Sequence, residues 1–274
     1  MDGDGPAILL MHGFTDSADT WRPVLTELAA VGRRAVAVDL PGHGHAAPLG
    51  RPAFAELDAF TDAFVAAHAD GAAPVLAGNS LGGLFALRAA ARGDTVSAVA
   101  GLDPAGLAHT LRLQVVAALA TWFDPWLGPL DRVPVPAGVV RRGTTTLHRR
   151  LTEGQGDPEL AAYYTGHVHG LRDVARWLGD LAALSTGDRQ HPLALADIDC
   201  PVLLIWGRRD RIADIRGADR LLAVVPNSRL AVVDAGHCPQ IQLPHQVARL
   251  LADLPESAPR RDTTTRTTTG EQQS

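Results

Sequence analysis

The sequence predicts an α/β protein built on a mostly parallel, doubly wound sheet of about six strands. Short apolar runs alternate along the chain with stretches in which apolar residues recur at helical spacing. This alternation is typical of parallel strands joined by crossover helices. The runs predict strands at Ala7–Met11, Ala35–Asp39, Val75–Ala77, Val96–Leu102, Val202–Trp206 and Leu230–Val233. With 274 residues, the chain is long enough for one large domain that carries an insertion.

Helices are predicted where apolar residues recur at positions i, i+3, i+4 and i+7. Three such stripes are Trp21, Val24, Leu25 and Leu28; Ala218, Leu221, Leu222 and Val225; and Val247, Leu250, Leu251 and Leu254. A stripe of this kind forms the apolar face of an amphipathic helix. We therefore assign these residues to helix packing and not to a cofactor site.

The alternation stops between residues 105 and 191, where helical patterns follow one another without a strand between them. These patterns lie at 107–119, 139–151, 159–169 and 171–184. Because the segment stands between two predicted strands, we interpret it as an inserted helical cap. The predicted organisation is an α/β core over 1–104 and 192–254, a helical cap over 105–191, and a tail over 255–274. The tail has almost no apolar residues, which predicts disorder.

Charge and composition exclude several classes of function. The net charge is −5 and all 25 basic residues are arginines, spread along the chain, so nucleic-acid binding has no electrostatic support. The absence of lysine excludes Schiff-base chemistry. No apolar run has the length of a membrane span, and the acidic N-terminus does not resemble a signal peptide. We therefore expect a cytoplasmic protein, in which Cys200 and Cys238 are buried thiols and not a disulfide framework.

Ser80 is the strongest candidate for a reactive side chain. It lies in the segment Gly78-Asn79-Ser80-Leu81-Gly82, between a predicted strand and a predicted helix. A sharp strand-to-helix turn strains its central residue and requires small neighbours, which the two glycines provide. The turn exposes the hydroxyl and directs the N-terminus of the following helix toward it. We therefore predict a nucleophilic serine, with a purely structural glycine turn as the alternative.

A serine nucleophile needs a base and an acid that orients the base. Candidates follow the last two predicted strands: Asp210 after the fifth and His237 after the sixth. Since parallel strands end at the same edge of a sheet, Ser80, Asp210 and His237 can converge there. Asp103 also ends a strand and is an alternative position for the acid.

Together these motifs resemble those of cap-bearing serine hydrolases of the α/β-hydrolase superfamily, over about residues 7 to 254. The motifs are His12-Gly13-Phe14, Asp39-Leu40-Pro41-Gly42-His43-Gly44, the segment around Ser80, and Asp103-Pro104-Ala105-Gly106, with the order Ser, Asp, His along the chain. The resemblance implies that Ser80 is the nucleophile, His237 the general base and Asp210 the orienting acid. It also implies an oxyanion hole formed by the backbone N–H groups of Phe14 and Leu81.

A serine at position 80 favours acyl transfer over the chemistry of dehalogenases and epoxide hydrolases, which use a carboxylate nucleophile. We expect an esterase of small to medium apolar carboxylic esters, with a pocket lined by Phe14, Trp122, Trp126 and Trp177. The alternatives are carbon–carbon bond hydrolysis of ring-cleavage diketones, lactone or thioester hydrolysis, perhydrolysis, and ligand binding without catalysis.

We expect no metal or organic cofactor, because the pairs His43/His45 and His167/His169 have no further ligands at a recognisable spacing. The expected partner is a small-molecule substrate, with neither nucleic acid nor a membrane involved. The strand order implied by the resemblance leaves strand 35–39 at an open sheet edge. Because an apolar edge strand is prone to pairing, the N-terminus or a second subunit is expected to cover it. The chain is therefore expected to be a monomer or a homodimer.

Overall fold

A computed structural model describes residues 6–93, 95–108, 137–151 and 171–254, together with residues 115, 118–120 and 122. Within these residues, six strands form one sheet in the order β2-β1-β3-β4-β5-β6, and every pair of neighbours is parallel. The strands are β1 Ile8–Met11, β2 Ala35–Val38, β3 Val75–Asn79, β4 Ala98–Leu102, β5 Val202–Gly207 and β6 Ser228–Val233. The predicted fold class is confirmed, and each predicted strand is present with one end in place and the other shifted by one or two residues.

Helices connect and cover the strands. They are α1 Arg22–Ala30, α2 Ala53–Ala66, α3 Leu81–Arg92, α4 Ala137–Leu151, α5 Leu171–Gln190, α6 Arg216–Val224, α7 Pro239–Gln242 and α8 Pro244–Ala252. The three predicted stripes lie along α1, α6 and α8 and bury most of their members. Among the described residues, no helix combines the length and the apolar character that crossing a membrane requires.

The sheet separates two hydrophobic cores. Along β1, Ile8 and Leu10 belong to one core, whereas Leu9 and Met11 belong to the other. This follows from the strand geometry, because successive side chains point to opposite faces. Residues of α1 and α8 complete the first core, and residues of α2, α3 and α6 complete the second. Helices on both faces are the doubly wound arrangement that the apolar pattern predicted.

Strands β3 and β4 end level with each other, and β5 continues two residues further. In the register of the sheet, Leu102 at the end of β4 lies opposite Asn79 on β3 and Ile205 on β5. The loops that follow these three strands therefore start side by side at the carboxyl edge, where ligands bind in open α/β sheets.

Strand β2 lies at the edge of the described sheet, as predicted, and pairs there only with β1. All four of its residues are partly exposed. The coverage of this edge by the N-terminus or by a second subunit stays a prediction.

The helices α4 and α5 fall in the segment predicted as a cap. Helix α5 packs closely on α2, because a Cβ on Gly187 would lie 2.3 Å from the Phe54 ring. Arg51 Nη2 also donates to Oδ1 of the buried Asp180, at 2.8 Å. The predicted helix at 159–169 and the predicted tail at 255–274 lie outside the described residues.

Candidate active site

Ser80 occupies a strained turn between β3 and α3. Its backbone has φ +50° and ψ −108°, a conformation that is rare for a residue with a side chain. Three backbone hydrogen bonds hold it there: Ser80 N–H donates to Leu102 O at 2.9 Å, and Ser80 O accepts from Leu84 and Ala105 N–H at 3.0 Å each. The partly exposed side chain is thus fixed at the carboxyl edge of the sheet.

The flanking glycines are a steric requirement of this turn. A Cβ on Gly78 would lie 2.2 Å from the backbone carbon of Gly82, and one on Gly82 would lie 2.4 Å from the carbonyl oxygen of Met11. Since real contacts are never this short, neither position accepts a side chain without movement of the backbone. The sequence pattern therefore reflects close backbone packing at the start of α3.

His237 and Asp210 lie together. His237 Nδ1 and Asp210 Oδ2 are 2.8 Å apart, and both side chains are at least nine-tenths buried. Asp210 Oδ1 accepts the N–H groups of Ile212 at 2.7 Å and of Ala213 at 3.3 Å. Because these interactions use the carboxylate as an acceptor, the proton of the neutral imidazole belongs on Nδ1. Its Nε2 atom then has a lone pair available to act as a base.

Asn79 connects the histidine loop to the serine turn. Its buried side-chain amide donates to His237 O at 2.9 Å and to Leu102 O at 3.1 Å. Sequence reasoning missed this residue because it occupies a variable position of the serine motif. The presence of a polar side chain at the end of an otherwise apolar strand is the only signal that could have indicated it.

The loop after β1 also contacts the serine turn. Gly82 N–H donates to His12 O at 3.1 Å, and a Cβ on Gly13 would lie 3.4 Å from Ser80 Cβ. The predicted oxyanion donors Phe14 and Leu81 directly follow Gly13 and Ser80, so both belong to segments that meet at this point.

His12 supports the loop structurally. Its Nε2 atom accepts Leu40 N–H at 2.9 Å, while Nδ1 is 2.7 Å from Gly13 O. With both ring nitrogens engaged by the backbone, this buried histidine holds the loop that precedes Phe14.

The residues predicted to line the pocket differ in their surroundings. Phe14 is partly buried with its ring 5.4 Å from that of His43, and Trp177 is partly buried on α5. Trp122 is 71% exposed, so most of its surface faces solvent. Trp126 lies outside the described residues.

A cavity of about 240 Å³ is lined by Gly106, Leu107, Asp188, Arg189, Pro192, Leu193, Leu195 and Arg220, and by none of the predicted catalytic residues.

Asp103, the alternative acid, has different contacts from those of Asp210. It is fully buried at the end of β4 and its backbone has a φ of +45°. Its Oδ1 atom accepts Gly207 N–H at 2.8 Å, and no donor to Oδ2 is found within the part of the chain that the structure describes. Burial, and then the charge of Asp210, raises the pKa of Asp103 well above its ordinary value. The carboxylate bonded to the His237 ring is that of Asp210.

Cys238 follows His237 in the chain and is buried. Burial, with smaller contributions from Asp16, Asp103 and Asp210, raises the pKa of this thiol well above its ordinary value, so it stays protonated at neutral pH. Cys200 is partly buried, and neither thiol is in a disulfide.

Within the described ranges, no group of three or more histidine, cysteine or acidic side chains is arranged to hold a metal ion. The pair His167/His169 lies outside those ranges.

Comparison with known proteins agrees with this architecture. The model of the family described as "alpha/beta hydrolase fold" matches residues 6–244. The chain belongs to the α/β-hydrolase fold family. This hydrolase-fold chain is 30% identical over 274 aligned residues to a pimeloyl-[acyl-carrier protein] methyl ester esterase of Xanthomonas campestris, covering 92% of this chain and 98% of the relative. It is 32% identical to the magnesium-chelatase 30 kDa subunit of Rhodobacter capsulatus, covering 89% and 83%.

Solved structures share the fold of this family member. The 2-hydroxy-6-oxo-6-phenylhexa-2,4-dienoate hydrolase from a Rhodococcus species superposes with a TM-score of 0.70 at 21% identity, covering 91% of this chain and 90% of that one. The family and its esterase relative together support a hydrolase.

Proposed function

We propose that this α/β-hydrolase fold protein is a serine hydrolase that cleaves small to medium apolar carboxylic esters through an acyl-enzyme on Ser80. The observation that carries the proposal is the 2.8 Å bond between His237 Nδ1 and Asp210 Oδ2, in a loop tied by Asn79 to the strained turn of Ser80. A base that is oriented by an acid activates a serine hydroxyl that lies within its reach.

In the first half of the reaction, Ser80 Oγ attacks the ester carbonyl while His237 Nε2 accepts the hydroxyl proton. Asp210 stabilises the resulting imidazolium through Nδ1. The carbonyl oxygen becomes an oxyanion, to which the backbone N–H groups of Phe14 and Leu81 donate hydrogen bonds. Each such donor is typically worth about 3 kcal/mol of transition-state stabilisation. Because Leu81 is the first residue of α3, the positive end of that helix adds to the field.

Collapse of the tetrahedral intermediate breaks the ester C–O bond, and the alcohol leaves with the proton held by His237. Water then attacks the acyl-enzyme with His237 as base, which releases the carboxylic acid and restores Ser80. The chain's own residues hold every transferred proton in this scheme, so no metal or organic cofactor is required.

The similarity to a methyl ester esterase over nearly the whole chain supports an ester substrate with a small alcohol. Phe14 and Trp177 are apolar groups that suit an aliphatic acyl chain, and Trp122 and Trp126 are proposed to complete the pocket from the cap segment. We propose that the protein acts on such small molecules in the cytoplasm.

A second candidate function is hydrolysis of a carbon–carbon bond in a vinylogous diketone. It is favoured by the structural likeness to a hydrolase of that substrate type. The same nucleophile and base would serve, so the substrate and not the triad distinguishes the two activities.

Initial rates on p-nitrophenyl esters from acetyl to long acyl chains, extended to methyl esters of medium-chain acids, test the proposal. The expected result is a chain-length optimum that falls at least about a thousandfold in Ser80→Ala. Ser228→Ala is the matched control, because that serine bonds only the nearby Val225 carbonyl at the start of β6. Turnover that persists in Ser80→Ala would exclude Ser80 as nucleophile.

The wild type could cleave every ester only at the background rate and still cleave a vinylogous diketone in a Ser80-dependent way. That result would favour the carbon–carbon activity. Absence of both, with an intact fold and saturable binding of an apolar ligand, would favour a binding protein. A fluorophosphonate label on Ser80, read from the intact mass, reports an activated serine whichever substrate is used.

A further inference from the structure

Asp103 lies between the two halves of the predicted site. The residue before it, Leu102, accepts the backbone N–H of Ser80 and the side-chain amide of Asn79 through its carbonyl oxygen. On the other side, Asp103 Oδ1 accepts Gly207 N–H at 2.8 Å, and Gly207 O accepts Asp210 N–H at 3.0 Å. The carboxyl of Asp103 therefore anchors the first residue of the turn that carries Asp210.

The surroundings of this carboxyl are unsuited to a second negative charge. Asp103 is fully buried and its Oδ1 atom accepts one neutral amide, that of Gly207. Among the described residues no N–H group donates to its Oδ2 atom, and the side chain that neighbours this carboxyl is that of Asp210. Asp210, in contrast, has the imidazole and two backbone N–H groups around its oxygens. An ionised carboxylate is costly to bury unless it is paired and fully hydrogen-bonded. Of two interacting carboxyls, the less well solvated one keeps the proton.

We propose that Asp103 is a positioning residue that works as a neutral carboxylic acid, with Oδ1 fixing the turn at Gly207 and the proton on Oδ2 directed toward Asp210. This inference rests on the proposed function, since it assigns to Asp210 alone the charge that pairs with His237. This role of Asp103 involves no change of covalent bonds and no cofactor. It determines which of two neighbouring carboxyls is the anion.

The direction of the shift agrees with this geometry, because burial and the charge of Asp210 both raise the pKa of Asp103. The other titratable groups that face this cluster are His237, Cys238 and Asp16. The thiol of Cys238 has its pKa raised as well and is neutral, and the bonded Asp210 and His237 form an ion pair during catalysis.

A neutral Asp103 has a consequence for the working pH. A second negative charge beside the imidazole would favour its protonated form, which cannot act as a base. With one carboxylate only, the base stays available to lower pH. Asp103 thereby affects the acid limb of the rate profile without contacting the substrate.

Two substitutions separate this role from a purely structural one. Asp103→Asn keeps an acceptor for Gly207 N–H and a donor toward Asp210, and asparagine tolerates a φ of +45° better than most residues. Asp103→Ala removes both contacts. For Asp103→Asn we expect kcat within about threefold of wild type and an acid limb of kcat/KM at the same pH. For Asp103→Ala we expect kcat to fall at least about tenfold with KM little changed. Asp219→Asn, an exposed carboxylate on α6, is the charge-matched control.

The proposal is overturned if Asp103→Asn moves the acid limb downward by one pH unit or more, because that would mean that wild-type Asp103 is ionised. Full activity of a folded Asp103→Ala would equally exclude a positioning role. Thermal melts and circular dichroism check folding of both variants.

A spectroscopic measurement on the wild type keeps the inference testable if a variant fails to fold. Carboxyl ¹³C NMR of protein labelled at aspartate Cγ, titrated from pH 5 to 8, is expected to show one side chain that stays protonated throughout. Asp103→Asn, or Asp210→Asn if needed, assigns the signal. If no aspartate carboxyl signal stays in its protonated position over this pH range, the proposal is contradicted. This readout requires no turnover, so it remains valid if Ser80→Ala shows that the proposed hydrolysis is wrong.

Discussion

Asn79 donates a hydrogen bond of 2.9 Å from its side-chain amide to the backbone carbonyl of His237, a residue 158 positions later in the chain. The same amide nitrogen donates to Leu102 O, so its two N–H groups serve one carbonyl at the end of β4 and one in the loop after β6. One buried side chain thus fixes the loop of the predicted base against the turn of the predicted nucleophile.

Substitution of Asn79 should therefore affect activity and stability in a graded way. Asn79→Ala leaves two carbonyls without this donor and releases the His237 loop, so kcat should fall at least about tenfold. Asn79→Asp sets a buried negative charge against the same two oxygens and should lower the free energy of unfolding by about 3 kcal/mol or more. Rates and urea denaturation measure the two effects. Asn227→Asp, at an exposed position before β6, is the control and should change neither by much. An unaltered rate in Asn79→Ala would show that the His237 loop is held by other contacts.

Gly78 should be intolerant of even one methyl group. In Gly78→Ala the new Cβ would meet the backbone of Gly82 at 2.2 Å, which forces β3 and α3 apart. We expect a loss of about 3 kcal/mol or more of unfolding free energy, together with loss of activity. Gly143→Ala makes the same chemical change inside α4, where nothing lies within 4 Å of the added Cβ. That variant should gain roughly 0.5–1 kcal/mol from helix propensity. Equal melting temperatures for the two variants would be incompatible with the packing described at Ser80.

Arg88 should contribute more to stability than an arginine in an exposed ion pair. Its Nε and Nη2 atoms bond the two oxygens of Asp58 at 3.0 and 2.6 Å, and its guanidinium carbon lies 4.9 Å from the centre of the Phe54 ring. Because the pair is mostly buried between α2 and α3, Arg88→Ala should cost about 2–4 kcal/mol of unfolding free energy. Arg216, whose side chain is largely exposed beside Asp214, provides the comparison, and Arg216→Ala should cost clearly less than Arg88→Ala. Chemical denaturation measures the free energy of unfolding of both variants, and similar losses of that free energy would contradict this ranking.

Asp16 should make stability fall as the pH rises. Burial raises the pKa of this carboxyl from its ordinary value of 3.8 to about 7. Between these two pH values, the folded protein keeps the proton that the unfolded chain has already released, so the free energy of unfolding decreases with increasing pH. Asp16→Asn removes this dependence while it keeps an acceptor for Ser17 N–H. Its stabilising effect relative to wild type should be near zero below pH 4 and reach about 1–3 kcal/mol at pH 8.

Thermal melts of Asp16→Asn and wild type from pH 4 to 8 measure the difference. Asp219→Asn, at an exposed position on α6, should give parallel curves across the range. A difference for Asp16→Asn that is constant with pH, or largest at low pH, would mean that Asp16 is ionised without penalty in the folded protein.

Much of this architecture could be predicted from the sequence because parallel strands are apolar on both faces and their helices are apolar on one. That pattern located all six strands, and the loops after β3, β5 and β6 indicated Ser80, Asp210 and His237. The choice between Asp103 and Asp210 could not be made in this way, since both follow strands that end at the same edge. It depends on which carboxylate reaches the imidazole, and that is a matter of loop geometry.

Other contributions were invisible in the sequence for a related reason. Asn79 acts through contacts with residues 23 and 158 positions away, and Asp16 through burial of its carboxyl. Neither produces a periodic pattern or a local motif. No sequence pattern predicted that the side chain of Asp180, on α5, accepts a hydrogen bond from Arg51, next to the core helix α2. Its position in a helix predicted nothing about its partner.

The sheet joins two separate lengths of chain through a single pair of strands, β4 with β5. Ser80 and the first four strands precede residue 104, whereas Asp210 and His237 lie in the loops that follow the last two strands. If the polypeptide were supplied as two pieces, divided between residues 151 and 171, one piece would hold the proposed nucleophile and the other its base and acid. Neither piece alone could carry out the proposed reaction. If mixing the two pieces restored the reaction, the protein would serve as a two-component reporter, in which product formation measures how often the two pieces associate.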